Sequence, residues 1–542
     1  MSSALFFSFI GSLLICMALI PALTASAWRF QFIDVPRDRR MHAEPIAKVG
    51  GIAFAVGTIA AVLLWAPQDR MILASLSGGV VILLFGMWDD RVGLDHRMKF
   101  AGQILAAAIV VAYAGVRVTA MPFVDDQVFP LWAAATITLI VIVGMTNAVN
   151  LADGLDGLAG GLSLISFAGI AYLAYQANDQ MLVLLMVSVL GGLLGFLRFN
   201  TYPARVFMGD AGSQFLGHYL AVAAILLIDP ARAPYSPLLV LFLWGIPLLD
   251  TVGVMGQRIW QGRSPFVGDR NHLHHKLLAT GLSHRQAVTG IYLAQGLSVL
   301  CAALLRWQSD AILLAVYALF AASVLSVFVR SSRRPAAPPP AAVSSEEPAA
   351  AAGVAPATLR AWPLRALTLL VPLYLLACLA TPGDIPAEVG VIAVGLGAAV
   401  LGSLVIARGT ALAVRAGLYI GSTCAVYYAQ MSSRQLAGDW LSPLTLGVAA
   451  LAVLVVLAIR WMGDARFQTT PLDYLIVFLA VVMPFLSDLT VGPVHLSVVT
   501  ATLIVLFFAF ELLLQMHQAM VVRLGWLTAG MLAGLAVRVW WA

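Results

Sequence analysis

Several polar motifs interrupt the long apolar stretches of this sequence, and their side chains are of the kinds that bind metal ions, phosphates and hydroxyl groups. One motif, NAVNLADGLDGLAGG, places Asn147, Asn150, Asp153 and Asp156 three residues apart. If the preceding helix continues into the motif, this spacing keeps the first three loosely on one face, and the glycines permit a turn close to a ligand. Side-chain amides form hydrogen bonds with nucleobases or sugars, and carboxylates bind metals or ribose hydroxyls. The alternative is an ordinary helix end followed by a glycine-rich turn.

Two further motifs place carboxylates at the ends of apolar stretches. Asp89 and Asp90 lie in GMWDDRVGL, where adjacent, partly desolvated carboxylates suit Mg²⁺ binding or general-base work on a phosphate. The alternative is a pair of interfacial acids at a helix end, with Arg91 as their partner. Asp210 lies among small residues in VFMGDAGS, so it and nearby N–H groups can face a phosphate at a helix N-terminus. A simple N-cap is the alternative.

Three histidines, His272, His274 and His275, lie together in DRNHLHHKLLATGLSHR, with Arg270 and Lys276 beside them. No Cys or suitably spaced carboxylate completes a tetrahedral zinc site. Clustered imidazoles with basic neighbours are better suited to an anionic substrate such as a diphosphate. A juxtamembrane basic loop is the alternative.

The elements that position these motifs follow from the composition. Of the 542 residues, 61% are hydrophobic and 11% are charged, whereas soluble domains carry roughly a quarter charged residues. Apolar runs of about 17–22 residues recur along the chain, each long enough to cross a bilayer. We therefore predict an all-α, polytopic integral membrane protein surrounded by membrane lipids. Nucleic acid is not an expected partner, because no Lys/Arg stripe with interleaved aromatic residues is present.

Eighteen membrane spans are predicted, eleven before a Pro/Ala-rich segment and seven after it. That segment, 331–362, contains few large apolar residues and is predicted to be a flexible cytoplasmic linker. It separates a motif-bearing body, 1–330, from a C-terminal module, 363–542. The predicted spans are 4–28, 48–66, 71–88, 100–117, 131–147, 160–176, 181–197, 213–228, 237–258, 286–304, 310–329, 363–380, 386–407, 414–430, 442–460, 472–488, 492–514 and 521–541.

The loops between the first eleven spans differ in charge. Four of the five odd-numbered loops are basic, whereas the even-numbered loops are short and poor in basic residues. By the positive-inside rule, the odd-numbered loops face the cytoplasm and the N-terminus lies outside. All of the motifs then lie on one membrane face.

In the C-terminal module, the basic residues predicted to fall on inner loops are Arg408, Arg415, Arg460 and Arg466. Few charges fall within its spans. This pattern predicts a scaffold or interaction module, with lipid handling as the alternative.

Together, the motifs supply the side chains needed for Mg²⁺-dependent phosphoryl transfer at a membrane surface. A nucleotide donor would enter from the cytoplasm, and the acceptor would be a lipid phosphate. A membrane transporter or lipid-linked-sugar flippase is the rival from another class, but transporters bind substrates near the bilayer midplane. A CDP-alcohol phosphotransferase is the enzyme rival, but its DGxxAR pattern is incomplete because no Arg follows Ala159.

The five motifs DVPRDRRMHAEPIAKVGG, WDDR, NAVNLADGLDGLAGG, VFMGDAGS and DRNHLHHKLLATGLSHR, in this order, resemble the polyprenyl-phosphate N-acetylhexosamine-1-phosphate transferases of glycosyltransferase family 4. The resemblance covers roughly 1–330 and is nearest to the branch that makes undecaprenyl-diphosphate-N-acetylglucosamine for O-antigen and related glycans. It implies transfer of a sugar 1-phosphate from a UDP-N-acetylhexosamine to undecaprenyl or another polyprenyl phosphate, with release of UMP. The implied location is the bacterial inner membrane, and a homodimer is an expected assembly.

The resemblance also implies roles for individual residues. Asp89 and Asp90 would be the catalytic pair and, with Asp210 as the main ligand, would hold Mg²⁺, with Mn²⁺ as the alternative metal. Asp210, His274 and His275 would be catalytic residues as well. Two sets would bind substrate. The nucleotide set is Lys48, Asn147, Asn150, Asp153 and Asp156, and the set that contacts the diphosphate or sugar is Arg270, His272, His274 and His275.

Overall fold

The computed structural model describes residues 2–34, 45–124, 128–264, 272–333, 357–381, 385–406, 410–432, 443–462, 490–491, 494–514 and 518–541. These residues form eighteen helices and two antiparallel pairs of two-residue strands. The all-α, polytopic class is therefore confirmed. Ten of the described helices are long and apolar enough to cross a membrane, whereas the predicted number of spans stays a prediction.

The described helices divide into two compact units. The first unit contains twelve helices: α1 Ser2–Phe30, α2 Gly50–Trp65, α3 Arg70–Val92, α4 His96–Tyr113, α5 Leu131–Ala152, α6 Leu158–Gln176, α7 Gln180–Asn200, α8 Gly209–Leu227, α9 Leu239–Trp260, α10 Leu273–Ala279, α11 His284–Leu305 and α12 Asp310–Arg333. Each of the eleven spans predicted before the linker coincides with one of the helices of 16 to 29 residues in this unit. The exception, α10, is a helix of 7 residues within a predicted loop.

Helix α8 is the core of the first unit, because almost every residue after its first two is buried. It packs against α2, α3, α5 and α6. Glycines allow the closest approaches, since a Cβ at Gly217 would lie only 2.6 Å from the Thr146 Cα. Small residues at helix contacts are typical of membrane bundles, where close backbone packing replaces the hydrophobic effect. The tight packing of α8 brings its N-terminus to the ends of α3 and α5.

A short hairpin holds the segment before α2 in place. Strand β1, Ile33–Asp34, pairs with β2, Ile46–Ala47, and the Phe207 N–H donates to the Ala47 carbonyl at 2.8 Å. The loop between α7 and α8 is thereby tied to the hairpin. This contact positions Lys48, the residue that follows β2, beside the N-terminus of α8.

The second unit contains six described helices: α13 Ala357–Ala380, α14 Ala387–Ile406, α15 Thr410–Ser432, α16 Pro443–Met462, α17 Leu496–Leu514 and α18 Gln518–Trp541. The remaining pair of strands, β3 Thr490–Val491 and β4 Val494–His495, precedes α17. The predicted span 472–488 lies outside the described residues.

Two of the four arginines predicted to fall on inner loops lie within helices, Arg415 in α15 and Arg460 in α16, so the prediction is wrong for both. Arg408 and Arg466 lie outside the described residues.

Arg415 does not lie on a loop but within α15, where its Nε and Nη2 donate to the Glu511 carboxylate of α17 at 2.8 and 3.1 Å. The Tyr419 hydroxyl donates to the same carboxylate at 2.6 Å. Arg415 already lay one residue inside the predicted span 414–430, so placing it on a loop disagreed with that span, and α15 begins four residues earlier still. Glu511 was overlooked because it lies inside an apolar run. The charges of the two residues are stabilised by each other across neighbouring helices.

Candidate active site

The first part of the site is the corner between α3 and α4. Helix α3 ends at Gly93, whose left-handed backbone turns the chain, and the Leu94 N–H donates to Asp89 Oδ1 at 2.7 Å. The other oxygen, Asp89 Oδ2, lies 2.5 Å from the Lys99 Nζ. Lys99 also reaches Asp210 Oδ2 at 3.3 Å. Lys99 was not predicted as a site residue, although its place one turn into the helix after WDDR is a signal that could have revealed it.

Asp90 has a different environment from its neighbour. Its Oδ1 and Oδ2 accept hydrogen bonds from the N–H groups of Asp210 and Ala211, each at 2.9 Å. Asp90 therefore caps the N-terminus of α8 from another helix and supplies acceptors that this helix end needs. Gly209, at φ +72°, begins α8 against the Asp90 carboxylate, where a Cβ would collide. The Lys48 Nζ lies 3.9 Å from Asp90 Oδ1.

Helix α5 continues to Ala152, so its last two turns include the start of the polar motif. Asn150 Nδ2 donates to Asp210 Oδ1 at 2.7 Å and to the Ser213 Oγ at 2.8 Å. Asn147, one turn earlier, donates to Gln103 Oε1 at 2.6 Å. The two amides therefore join α5 to α8 and α4. Asp210 does not cap its own helix but receives hydrogen bonds from two others.

The turn after α5 carries the remaining carboxylates of the motif. Asp153 ends α5 and keeps contact with solvent. Desolvation of its carboxyl group and repulsion from the carboxylates of Asp210, Asp90 and Asp156 raise the pKa of Asp153. Asp156 points elsewhere, since its Oδ2 accepts from the Ala204 N–H at 2.9 Å. Asp153 is therefore coupled electrostatically to Asp90 and Asp210, whereas Asp156 has a loop contact.

The histidines lie on and before the short helix α10. His272 Nδ1 lies 2.8 Å from Asp250 Oδ2, and both side chains are buried. His274 is also buried, and its Nε2 packs against Gly154 of the turn after α5. Burial and the adjacent His275 imidazole lower the pKa of His274 to about 3, so the ring is neutral near pH 7. A neutral His274 can exchange hydrogen bonds with a substrate but does not supply positive charge. Arg270 lies outside the described residues.

The residues that meet at the N-terminus of α8 form a central cluster, which consists of Asp89, Asp90, Lys99, Asn150 and Asp210. This cluster is suitable for a hard divalent cation. Among the described residues, no group of three or more His, Cys, Asp or Glu side chains is arranged as a metal cage. However, Asp89 and Asp210 already share one cation, the Lys99 ammonium, through carboxylate oxygens. Mg²⁺ characteristically uses one or two carboxylates and takes its other ligands from water and substrate phosphates. The donor set thus fits this ion without a complete protein cage.

Comparison with known proteins identifies the group to which this site belongs. A family described as "Glycosyl transferase family 4" matches residues 72–228. A Bacillus subtilis (strain 168) protein named probable undecaprenyl-phosphate N-acetylglucosaminyl 1-phosphate transferase is 33% identical over 326 residues, which is 60% of this chain and 89% of the relative. The chain belongs to glycosyl transferase family 4.

Other family members have similar names. The decaprenyl-phosphate N-acetylglucosaminephosphotransferase of Mycobacterium tuberculosis (strain ATCC 25618 / H37Rv) is 36% identical over 302 residues, 50% of this chain and 75% of the relative. The undecaprenyl-phosphate alpha-N-acetylglucosaminyl 1-phosphate transferase of Escherichia coli (strain K12) is 29% identical over 278 residues, 49% of this chain and 74% of the relative. These names favour a transferase over a transporter. The family match includes α4 to α8 and nearly all of α3, and therefore Asp89, Asp90, Lys99, Asn150 and Asp210.

Proposed function

We propose that this protein transfers N-acetylglucosamine 1-phosphate from UDP-N-acetylglucosamine to undecaprenyl phosphate or a similar polyprenyl phosphate. The products are polyprenyl-diphosphate-N-acetylglucosamine and UMP, and the reaction would be the first membrane step in making a cell-surface glycan such as O-antigen. The proposed location is the bacterial cytoplasmic membrane, with the site on the cytoplasmic face and the N-terminus outside. Assembly into a homodimer stays a prediction.

The observation that carries this proposal is the cluster in which Lys99 contacts both Asp89 and Asp210 while Asn150 holds Asp210. These groups lie at the ends of α3 and α5 and at the start of α4 and α8, rather than in the middle of spans. A site at helix ends can meet a water-soluble nucleotide and a lipid headgroup together. A cluster near the bilayer midplane would instead support transport.

The proposed reaction joins two phosphates. An oxygen of the lipid phosphate forms a bond to the β-phosphorus of the UDP sugar, the bond from that phosphorus to the bridging oxygen breaks, and UMP leaves with the electron pair. Asp89 orients the lipid phosphate, and Lys99 stabilises charge on the phosphates. Asp90 supports the site through the backbone of α8. Mg²⁺, held by Asp210 and Asp89, would supply additional positive charge to the diphosphate when bound.

The other predicted residues are proposed to hold the donor. The amides and carboxylates at the end of α5 would form one wall of a nucleotide-sugar cleft. Lys48 would also face the donor, and its Nζ lies 3.9 Å from Asp90 Oδ1. The histidine helix α10 would form another wall, because His274 packs against Gly154. Its neutral imidazole would donate a hydrogen bond to the diphosphate or the sugar.

The test uses the purified full-length protein with undecaprenyl phosphate and a panel of UDP sugars, with UMP release as the readout. UMP release is expected with UDP-N-acetylglucosamine and only when the lipid phosphate is present. No UMP from any UDP-N-acetylhexosamine would overturn the proposal. Movement of a lipid-linked sugar between vesicle leaflets without UMP release would support the flippase alternative instead.

Metal removal is a separate prediction. Chelation by EDTA should abolish UMP release, and added Mg²⁺ should restore it, because the carboxylates of Asp89 and Asp210 need a cation that also neutralises the phosphates. Mn²⁺ is expected to substitute in part. Unchanged turnover after chelation and dialysis would remove the metal from the proposal.

A further inference from the structure

Helix α9 is interrupted in its first half. Gly245 has φ +30° and ψ −112°, and Pro247 follows two residues later. A proline supplies no N–H, and a non-helical residue breaks the regular ladder, so backbone groups around such a break need other partners. These groups are buried, because Leu243, Gly245, Ile246 and Pro247 are all inside the first unit.

One side chain of α11 supplies those partners. Gln295 is fully buried, and its Oε1 accepts from the Ile246 N–H at 2.8 Å. Its Nε2 donates to the Leu243 carbonyl at 3.1 Å and to the Ser166 Oγ at 2.9 Å. The amide therefore bonds to the backbone on both sides of Gly245 and also to α6. A Cβ on Gly245 would collide with the Gln295 amide, so the break and the glutamine fit each other closely.

The part of α9 after the break carries the anchor of the histidine helix. Asp250 lies one turn after Pro247, and its Oδ1 accepts from the Leu273 N–H at 2.7 Å while its Oδ2 contacts His272 Nδ1 at 2.8 Å. Asp250 thus fixes the start of α10. Within α10, the buried His274 Nε2 has no hydrogen-bond partner among the described residues and faces the turn that contains Gly154.

These contacts form a continuous path from α11 to the candidate active site. We propose that Gln295 is a positioning residue, which sets the direction of α9 after its break and thereby, through Asp250, the place of His274 in the donor site. The inference rests on the proposed function for its kinetic consequence. Its structural part, that Gln295 holds α10 in place, stands on the contacts alone. Gln295 itself touches neither substrate nor reacting atoms.

The first experiment measures α10 directly by hydrogen–deuterium exchange of the full-length protein. Gln295→Leu should increase exchange in the peptide that contains 272–280, because the end of α9 loses its fixed direction. The matched control is Ser298→Ala, since the Ser298 Oγ donates to the Phe242 carbonyl at 2.8 Å from the same helix but before the break. The control should leave exchange at 272–280 unchanged. Unchanged exchange in Gln295→Leu would overturn the proposal.

The second experiment is a double-mutant cycle on UMP release. Gln295→Leu should lower kcat/KM by about 100-fold, the effect of a small misplacement in an oriented site, and Ser298→Ala should change it less than about twofold. If Gln295 acts through His274, the double variant Gln295→Leu/His274→Ala should be no worse than His274→Ala alone. Independent, multiplied losses would indicate a general structural role and would overturn the proposal.

A third variant and the wild-type protein complete the design. Gln295→Glu retains an acceptor for the Ile246 N–H and should recover part of both the exchange protection and the activity, which also provides a folded protein if Gln295→Leu misfolds. Equal defects in the two variants would contradict the proposed role of that hydrogen bond. A wild-type protein that releases no UMP would refute the proposed function, while the exchange measurement would still decide the structural part.

Discussion

The two units of the molecule each contain a partly buried polar cluster between helices, and the clusters differ in charge balance. In the second unit, one guanidinium and one carboxylate, Arg415 and Glu511, form a two-point ion pair, and the Tyr419 hydroxyl donates to the carboxylate as well. In the first unit, four carboxylates are grouped with two ammonium groups. These residues are Asp89, Asp90, Asp153, Asp210, Lys48 and Lys99.

We interpret this difference as that between a structural ion pair and the proposed reaction site. A balanced pair within a membrane bundle stabilises the register of its two helices and leaves no charge for a ligand. A cluster with excess carboxylates keeps unfavourable repulsion that an incoming cation relieves, which is the condition for a metal-assisted reaction. The comparison therefore predicts that changes to the first cluster reduce turnover, whereas changes to the second reduce stability.

The largest effect is expected for Asp210. Asp210→Asn keeps the size of the side chain but removes the negative charge held by Asn150 and Lys99, so kcat should fall by about 1,000-fold, as for other single electrostatic groups. UMP release measures this, and the melting temperature in detergent should stay near the wild-type value. A loss smaller than about tenfold would remove Asp210 from the proposed metal site.

Asp89 is expected to have the next largest effect. Asp89→Asn breaks the ion pair with Lys99 and should lower kcat by at least about 100-fold, the lower end of general-base contributions. Binding of the UDP sugar, measured by calorimetry, should be largely intact. If only the affinity for the nucleotide falls, Asp89 belongs to the donor site and the proposed role toward the lipid phosphate is wrong.

Asp90 combines the two kinds of role, because it lies in the proposed reaction site and also caps the N-terminus of α8. Asp90→Asn should also lower kcat by about 100-fold. Unlike Asp89→Asn, it should lower the melting temperature as well, since one of the two N–H groups at the start of α8 loses a carboxylate acceptor. The loss in the free energy of unfolding should be about 1 kcal/mol, as for other helix caps. Equal melting temperatures for the two variants would show that the cap is dispensable.

The smallest effect on turnover is expected in the second unit. Arg415→Met or Glu511→Gln leaves one charge within the helices unpaired and should lower the melting temperature, while UMP release at a permissive temperature changes less than about twofold. The double variant should be more stable than the less stable single variant, because neither charge remains. A large loss of activity in all three proteins would show that the second unit contributes to the reaction, contrary to the scaffold prediction.

Much of the fold was readable from the sequence because membrane helices have a strong local signal. The eleven apolar stretches before the linker all coincide with helices of 16 or more residues. Residues 148–152 extend α5 beyond the predicted span, which is the case in which Asn147 and Asn150 were expected to share a face. The order and types of the polar motifs were also sufficient to indicate the family and phosphoryl transfer. These features depend on residues that are close together in the chain.

The partners of the site residues could not be read in this way. Asp90 caps α8 from 120 residues away, and Lys99 contacts Asp210 from 111 residues away. In the sequence, Gln295 cannot be distinguished from any other polar residue in an apolar helix. Its role depends on the break in α9, which lies beside it only in the fold. Glu511 was missed because its partner lies 96 residues earlier in the chain. Composition and spacing determined which helices form and which reactive side chains are present. Packing between distant helices decided which polar groups meet, because a buried polar group bonds to the neighbours that the fold places beside it.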